Sequence, residues 1–527
     1  MPCIRTISQA VLLLGGLSRT LAMPHYPRTD GVSWGACEID LPSVQCANFT
    51  VPLDYTKPNS RATLDLQLLR VPAVKQPKKG TILFNFGGPG LEARLTLAGT
   101  AQTLLAITGG EYDLVANDPR GTANTLTASC FNTTAERATF VGEPSSVIPS
   151  RDDELALGRV WGQTQVVEDQ CFNFPGFRQR GSLIGTAFAA RDLLQIVDAI
   201  EDDGLLRYYG TSYGTVLGAT FAAMFPDRVD RLILDGVLNP HEYFNGYDVE
   251  AWADSDRTFS GFVEECLKAP DLCALGSRRV YPEDLEKDVY NLLEDLREEP
   301  LSQGDLLIDS SLVQTFIRFS LYSPQFYPAL ATALEGLLSQ DAAAFADVYD
   351  AFVESGLDLT QSPDESSFAI LCGDKRVPEQ SLEEMAPVFE ALEDESRLLG
   401  SSGHIQAMIC QHWRIEANAR YEGNFTAATR HPLLVIGNTF DPATPLRSAQ
   451  NISAGFEGSV VLEHGGFGHT TLSQGSSCTI NAIRSYFQDG TLPEPDTVCE
   501  ADYAPFEPKT LTDVLVDLGY IEAAPEE

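Results

Sequence analysis

The sequence predicts an α/β protein: a mostly parallel sheet carrying a long helical insertion. Three observations predict it. Short apolar runs alternate with helix-patterned segments from about residue 80 to residue 236, as in strand–helix–strand units whose strands are covered on both faces. The pattern then turns mainly helical over 239–430 and returns to apolar runs at 431–437 and 459–463. A chain of 527 residues with 43% hydrophobic content can fill such a core and its insertion.

Residues 1–22 read as a secretory leader. Arg5 supplies the basic start, 10–17 the apolar middle and Leu21-Ala22 the small-residue end, with cleavage expected after Ala22. The apolar run is too short to span a bilayer. Residues 47–55 and Thr63–Val71 are predicted strands, the second alternating Leu64, Leu66 and Leu68. Residues 80–86 form an apolar strand that ends in Gly87-Gly88-Pro89-Gly90. Tyr112–Asn117 forms another, followed by Asp118-Pro119-Arg120-Gly121. Thr186–Ile200 places Phe188, Leu193, Leu194, Val197 and Ile200 at helical spacing. A strand runs into Ser212, a helix over 216–225 stops at Pro226, and 231–236 is one more buried strand. Within the insertion, 284–298, 328–338, 342–353 and 382–392 are predicted helices. The expected division is a leader (1–22), a first part of the core (23–238), the insertion (239–430), a second part of the core (431–492) and an acidic tail (493–527) that packs loosely.

Composition narrows the function classes. The formal charge is -38, from 74 acidic and 36 basic residues. Such a surface repels nucleic acid and anionic membranes, so neither is an expected partner, and it favours solubility. Beyond Cys3 in the leader, ten cysteines are spread along the chain, an even number that suits disulfides in a secreted protein. Pairing of chain neighbours, Cys37 with Cys46 and Cys266 with Cys273 among them, is the simplest order, though sequence leaves connectivity open. No Cys-x-x-Cys spacing for zinc occurs, and no metal is expected. Four Asn-x-Ser/Thr sequons, at Asn48, Asn132, Asn424 and Asn451, predict a glycoprotein.

The chemistry centres on Gly210-Thr211-Ser212-Tyr213-Gly214, a Gly-x-Ser-x-Gly turn between a strand and a helix. The glycines permit a turn that side chains would block, and it lifts the Ser212 hydroxyl clear of the sheet edge. A hydroxyl nucleophile needs a base, a group that orients the base, and donors for the oxyanion. In this setting the acid and then the histidine follow the serine along the chain. Of the seven histidines, only His464 and His469 follow the last predicted strand. His469 lies past its end on a glycine-rich loop and is the expected base. The segment after the preceding strand, 437–445, offers one acid, Asp441, expected to hold the imidazole in the right tautomer. The oxyanion donors are expected from the N–H groups of Tyr213 and Gly88.

Together these pieces resemble the α/β-hydrolase fold and, more closely, secreted tripeptidyl aminopeptidases and related proline iminopeptidase-like exopeptidases. The motifs that carry the resemblance are Val51-Pro52-Leu53-Asp54-Tyr55, Phe86-Gly87-Gly88-Pro89-Gly90, Asp118-Pro119-Arg120-Gly121, the Ser212 turn, Leu234-Asp235-Gly236-Val237, Asp441-Pro442-Ala443-Thr444-Pro445 and Gly468-His469. The resemblance implies Ser212, Asp441 and His469 as the catalytic residues and no cofactor. It implies that the insertion caps the site, and that an acid in it grips the amino terminus of a peptide by a charge-assisted hydrogen bond. Glu242, Asp364, Glu365 and Asp374 are the candidates. The chain departs from the family where Phe86 replaces a histidine, Leu91-Glu92-Ala93 replace Gly and Ser, and 122–125 replace a Gly-x-Ser pattern, changes expected to line the oxyanion side. The same machinery serves an esterase, lactonase or amidase acting on a small metabolite, since a fold does not choose its substrate. A different class, a silent binding protein on the same fold, is disfavoured by the intact set of three residues.

Overall fold

A computed structural model describes residues 31–38, 44–133, 135–137, 147–354 and 365–523. The leader expected at 1–22 and the candidate Asp364 lie outside the described residues. The eleven strands among them are β1 (Gln45–Pro52), β2 (Thr63–Val71), β3 (Gly80–Asn85), β4 (Tyr112–Asn117), β5 (Leu206–Ser212), β6 (Val229–Val237), β7 (Leu301–Gln303), β8 (Leu306–Ile308), β9 (Leu434–Phe440), β10 (Val460–Phe467) and β11 (Val498–Glu500). Nine form one sheet in the order β1-β2-β4-β3-β5-β6-β9-β10-β11, with β7 and β8 a separate hairpin. The first two pairings are antiparallel and every other pairing in the nine-stranded sheet is parallel. This is the α/β-hydrolase fold with its mostly parallel sheet.

The parallel strands are apolar on both faces because helices cover both, which is why they read as continuous runs rather than alternations. One face packs Leu83, Tyr208, Leu232 and Val435. The other packs Ile82, Tyr209, Ile233 and Leu434. Strand order reverses at β3, which has β4 on one side and β5 on the other. Ligands in open α/β sheets bind at such a reversal, beyond the carboxyl ends of the strands. The ends of β3 and β5 meet there, with Asn85 opposite Gly210.

Between β6 and β9 the regular elements of the described chain are helices apart from the β7–β8 hairpin, which is mostly exposed but buries Ile308. These helices share their own core, built on Phe259, Phe262, Phe316 and Tyr327, and Phe467 of β10 enters it from the sheet. The helix expected over 382–392 begins later, as Ala386–Glu395, with Pro387 in its first turn where a missing N–H costs nothing. The cap also draws on a segment outside the insertion. Helix Glu154–Asn173 lies between β4 and β5 in the chain, buries Leu157, Val160, Val167 and Cys171, and packs against helix Gly403–His412. Sequence reading assigned no element there.

The tail after Pro493 does not pack loosely. Val498–Glu500 adds an edge strand to β10, Tyr503 and Phe506 are buried, and helix Leu511–Asp517 is fixed by a Thr510–Asp513 capping box. Five disulfides join chain neighbours: Cys37–Cys46, Cys130–Cys171, Cys266–Cys273, Cys372–Cys410 and Cys478–Cys499. The last one anchors the tail strand to helix Ser477–Asp489.

Candidate active site

Strand β5 delivers Ser212 at its last position, and helix Tyr213–Met224 starts at the next residue. Ser212 holds φ 54° and ψ -126°, a left-handed conformation that costs a non-glycine residue about 1–3 kcal/mol. The flanking glycines are required by contact. A Cβ on Gly210 would lie 2.4 Å from the carbonyl oxygen of Gly214, and one on Gly214 would lie 2.2 Å from that of Asn85. The turn after β3 presses as closely on the serine. A Cβ on Gly87 would stand 2.7 Å from Cβ of Ser212 and 2.9 Å from the Tyr213 nitrogen. The Gly87 N–H donates to Oδ1 of Asn85 at 3.1 Å, and the next residue, Gly88, lines the cavity that Ser212 also lines. The cap braces the turn, because the Ser367 hydroxyl donates to the Pro89 carbonyl at 2.6 Å.

Asp441 follows β9 and is fully buried. It accepts from the N–H groups of Ala443 and Thr444, both at 2.9 Å, and from the Thr444 hydroxyl at 2.7 Å. Its carboxylate lies 3.0 Å from Nδ1 of His469. Burial pushes the Asp441 carboxyl up, but the imidazole and these donors outweigh it and the net shift is downward. It is therefore an anion at neutral pH, placed to favour an imidazolium. Asp441 thus makes both the local turn contacts common for Asp before proline and the long-range contact to histidine.

His469 sits past β10 on a loop fixed at several points. Asn438 donates to the carbonyls of Gly468 and Thr470, each at 2.8 Å, and the His469 N–H donates to the Tyr322 carbonyl at 2.9 Å. The Tyr322 ring stands edge-on to the imidazole, 4.9 Å between centroids. Ser212 pairs with Val237 on β6, and a Cβ on the preceding Gly236 would be 3.5 Å from Cε1 of His469. The imidazole therefore lies against the strand end that neighbours the serine. His464 does not belong to the site. It is buried in the core with Nδ1 2.9 Å from the Thr479 hydroxyl, and burial pushes it down to about 4.

The cavity over Ser212 measures about 110 Å³. Gly88, Pro89, Ala443 and Thr444 contribute from the sheet side, and Trp252, Arg318, Tyr322 and Gln406 from the cap. None of the described acids named from sequence lines it. Glu242 accepts from the Glu250 N–H, Glu365 pairs with Arg137, and Asp374 is buried under Thr186 and Tyr243. The acid that does line it is Asp248, whose Oδ2 is 2.7 Å from Nζ of Lys375 and 2.8 Å from Nε2 of Gln406. The departures from the family pattern lie elsewhere too. Leu91, Glu92 and Ala123 line a surface cleft with Glu365, and Phe86 stacks on Phe84.

Comparison with known proteins agrees with this architecture. The family described as alpha/beta hydrolase fold matches residues 111–386, which hold Ser212, and the family described as TAP-like protein matches 396–499, which hold Asp441 and His469. The serine protease Hip1 of Mycobacterium tuberculosis is 27% identical over 523 residues, covering 94% of each chain. Carboxylesterase B of the same organism is 28% identical, covering 89% of each chain. The tripeptidyl aminopeptidase of Streptomyces lividans is 25% identical, covering 90% of this chain and 88% of its own.

Proposed function

The chain belongs to the α/β-hydrolase fold family and is a serine hydrolase, and on that premise we propose that it is an exopeptidase releasing short segments or single residues from peptide amino termini. In this reading Ser212 attacks the scissile carbonyl while His469 takes its proton, and the N–H groups of Tyr213 and Gly88 hold the tetrahedral oxyanion. His469 then protonates the leaving amine, the carbon–nitrogen bond breaks, and water activated by His469 releases the acyl group from Ser212. The observation that carries the reading is the roofed cavity. About 110 Å³ over Ser212 is well below the 300–1,000 Å³ usual for ligand pockets, which favours a short chain end over a long chain threading past the serine. The likeness to a tripeptidyl aminopeptidase supports the same choice.

A second reading has its own support, since carboxylesterase B matches over a similar span. Chromogenic amides of one to three residues, each with free or acetylated amino terminus, assayed beside simple esters, separate the two. The exopeptidase reading expects cleavage of the amides and its loss on acetylation. Esters cleaved while every amide resists would overturn it. Ser212→Ala is expected to lower kcat by about 10⁵–10⁶-fold on either substrate class.

Secretion as a glycoprotein is part of the proposal. Five disulfides suit an oxidising compartment, and all four sequon asparagines are exposed. A mature protein that begins after Ala22 and shifts in mass on deglycosylation is the expected result. Retention inside the cell with free thiols would contradict it.

A further inference from the structure

Arg318 lines the Ser212 cavity and makes no ion pair and no hydrogen bond among the described residues. It leaves helix Ser310–Ser320 in the cap, with its guanidinium carbon 5.0 Å from the ring centre of Trp252 and 5.6 Å from that of Phe319. Its Nε is buried without a partner. Four residues on, Tyr322 lines the same cavity and abuts the His469 imidazole, so Arg318 shares its cavity with both Ser212 and the neighbour of the base. The chain carries about two acids for every base, 74 against 36, and a cation in such a chain readily finds a carboxylate. This one is held by aromatic rings and left without one. The other charged wall of the cavity is already neutralised, because Lys375 sits on Asp248. Arg318 is therefore the cation of the cavity lining that no carboxylate answers, and a guanidinium fixed on an aromatic face presents a planar fork that fits a carboxylate with two parallel hydrogen bonds.

We propose that Arg318 is a specificity-determining residue whose guanidinium binds a carboxylate of the substrate, making short acid-bearing peptides the preferred class. The bond cleaved rests on the exopeptidase reading; the carboxylate preference does not. The carboxylate has two sources, an Asp or Glu side chain in the released segment or the α-carboxylate of a peptide short enough for its carboxyl terminus to reach Arg318. Two matched pairs separate them: a neutral aminoacyl amide against the same amide with one Glu, and a neutral tripeptide with free carboxyl terminus against its carboxamide.

The test measures kcat/KM for the wild type, Arg318→Gln and Arg318→Lys on both pairs. In the wild type the carboxylate member of one pair is favoured by about 10- to 100-fold, the range of a hydrogen-bonded charge in a sheltered site, and the responding pair identifies the source. In Arg318→Gln the ratio between members collapses toward one through KM, and Arg318→Lys restores part of it. Labelling of Ser212 by an uncharged phosphonate checks that each variant keeps its site. The inference is overturned if neither pair shows a preference. It is equally overturned if Arg318→Gln lowers both members alike, since that is the result of a purely structural stack on Trp252. The same pairs made as esters keep this failure distinct from failure of the peptidase reading. Resistant amides with esters that keep the Arg318-dependent preference sink the peptidase reading alone. Cleaved amides without a preference sink the role of Arg318 alone.

Discussion

Asp441 and Asp235 are both fully buried at the carboxyl ends of adjacent strands, β9 and β6, yet their protons behave oppositely. They even hold successive amides of one loop: the Thr470 N–H donates to Asp441 at 3.2 Å and the Thr471 N–H to Asp235 at 3.1 Å. Asp441 also meets an imidazole, and its carboxyl lies below its ordinary value. Beyond that amide, Asp235 meets the hydroxyls of Tyr209, at 2.8 Å, and Thr471, at 2.7 Å. Burial pushes Asp235 up to about 6 against these donors and the more distant charge of His469. Burial alone favours the neutral acid, and at Asp441 the histidine in contact together with the Ala443 and Thr444 donors outweighs it. One carboxylate is equipped to steady a developing positive charge, and its neighbour is equipped to hold a loop in place.

The largest effect that tests this difference is Asp441→Asn, expected to lower kcat by about 10⁴-fold while leaving Ser212 in its turn. Asp235→Asn is expected to keep phosphonate labelling of Ser212 within about tenfold, because the partners of Asp235 are uncharged and both hydroxyls can turn to accept from an amide. Equal losses in the two variants would erase the distinction.

Their stability profiles are expected to differ in sign. Asp235 has a raised folded-state value, so its contribution is fully present below about 3.8, its ordinary value, and is lost as pH rises through about 6. Melting temperature measured from pH 4 to 7 should therefore move in favour of Asp235→Asn relative to wild type as pH rises. A flat or opposite trend refutes the assignment. Asp374, also pushed up to about 6 by burial, titrates in that window and keeps its share in both proteins. For Asp441 the order is reversed. Its contribution is present above its ordinary value and is lost as pH falls through the lowered one, so Asp441→Asn loses its disadvantage only in strong acid.

The smallest effect is that of Tyr209→Phe. It removes the hydrogen bond to Asp235, worth about 1 kcal/mol, a longer contact to the Thr471 hydroxyl, and with them a donor that favours ionised Asp235. The pH at which Asp235 loses its contribution should shift upward in this variant, and an unshifted profile would mean that the hydroxyl does not act on the carboxyl.

Much of this was legible in the sequence because the reactive groups sit where short local patterns end. Ser212, Asp441 and His469 each follow an apolar strand, and glycines whose missing side chains make room mark the first. Asp235 was visible only as part of a motif, since its role depends on Tyr209 and Thr471, far apart in the chain. Asp248 and Arg318 carried no local signal at all. Arg318 belongs to a cap helix whose spacing says which face is apolar but not which residue ends over the serine, and Asp248 lies in the link just before the short helical segment Val249–Trp252. Helix Glu154–Asn173 did carry a signal, with Leu157, Val160, Thr164, Val167 and Cys171 at helical intervals, and its cysteine pairs with Cys130. The tail was misread because a three-residue strand is too short for alternation to show, although Cys499 and its neighbour Cys478 pointed to an anchored segment.

The bond from the His469 amide to the Tyr322 carbonyl ties roof to trigger. Raising the stretch of cap that bears Tyr322 must either snap that link or drag the imidazole with it. The position of the base is thus tied to the position of the cap by a backbone link.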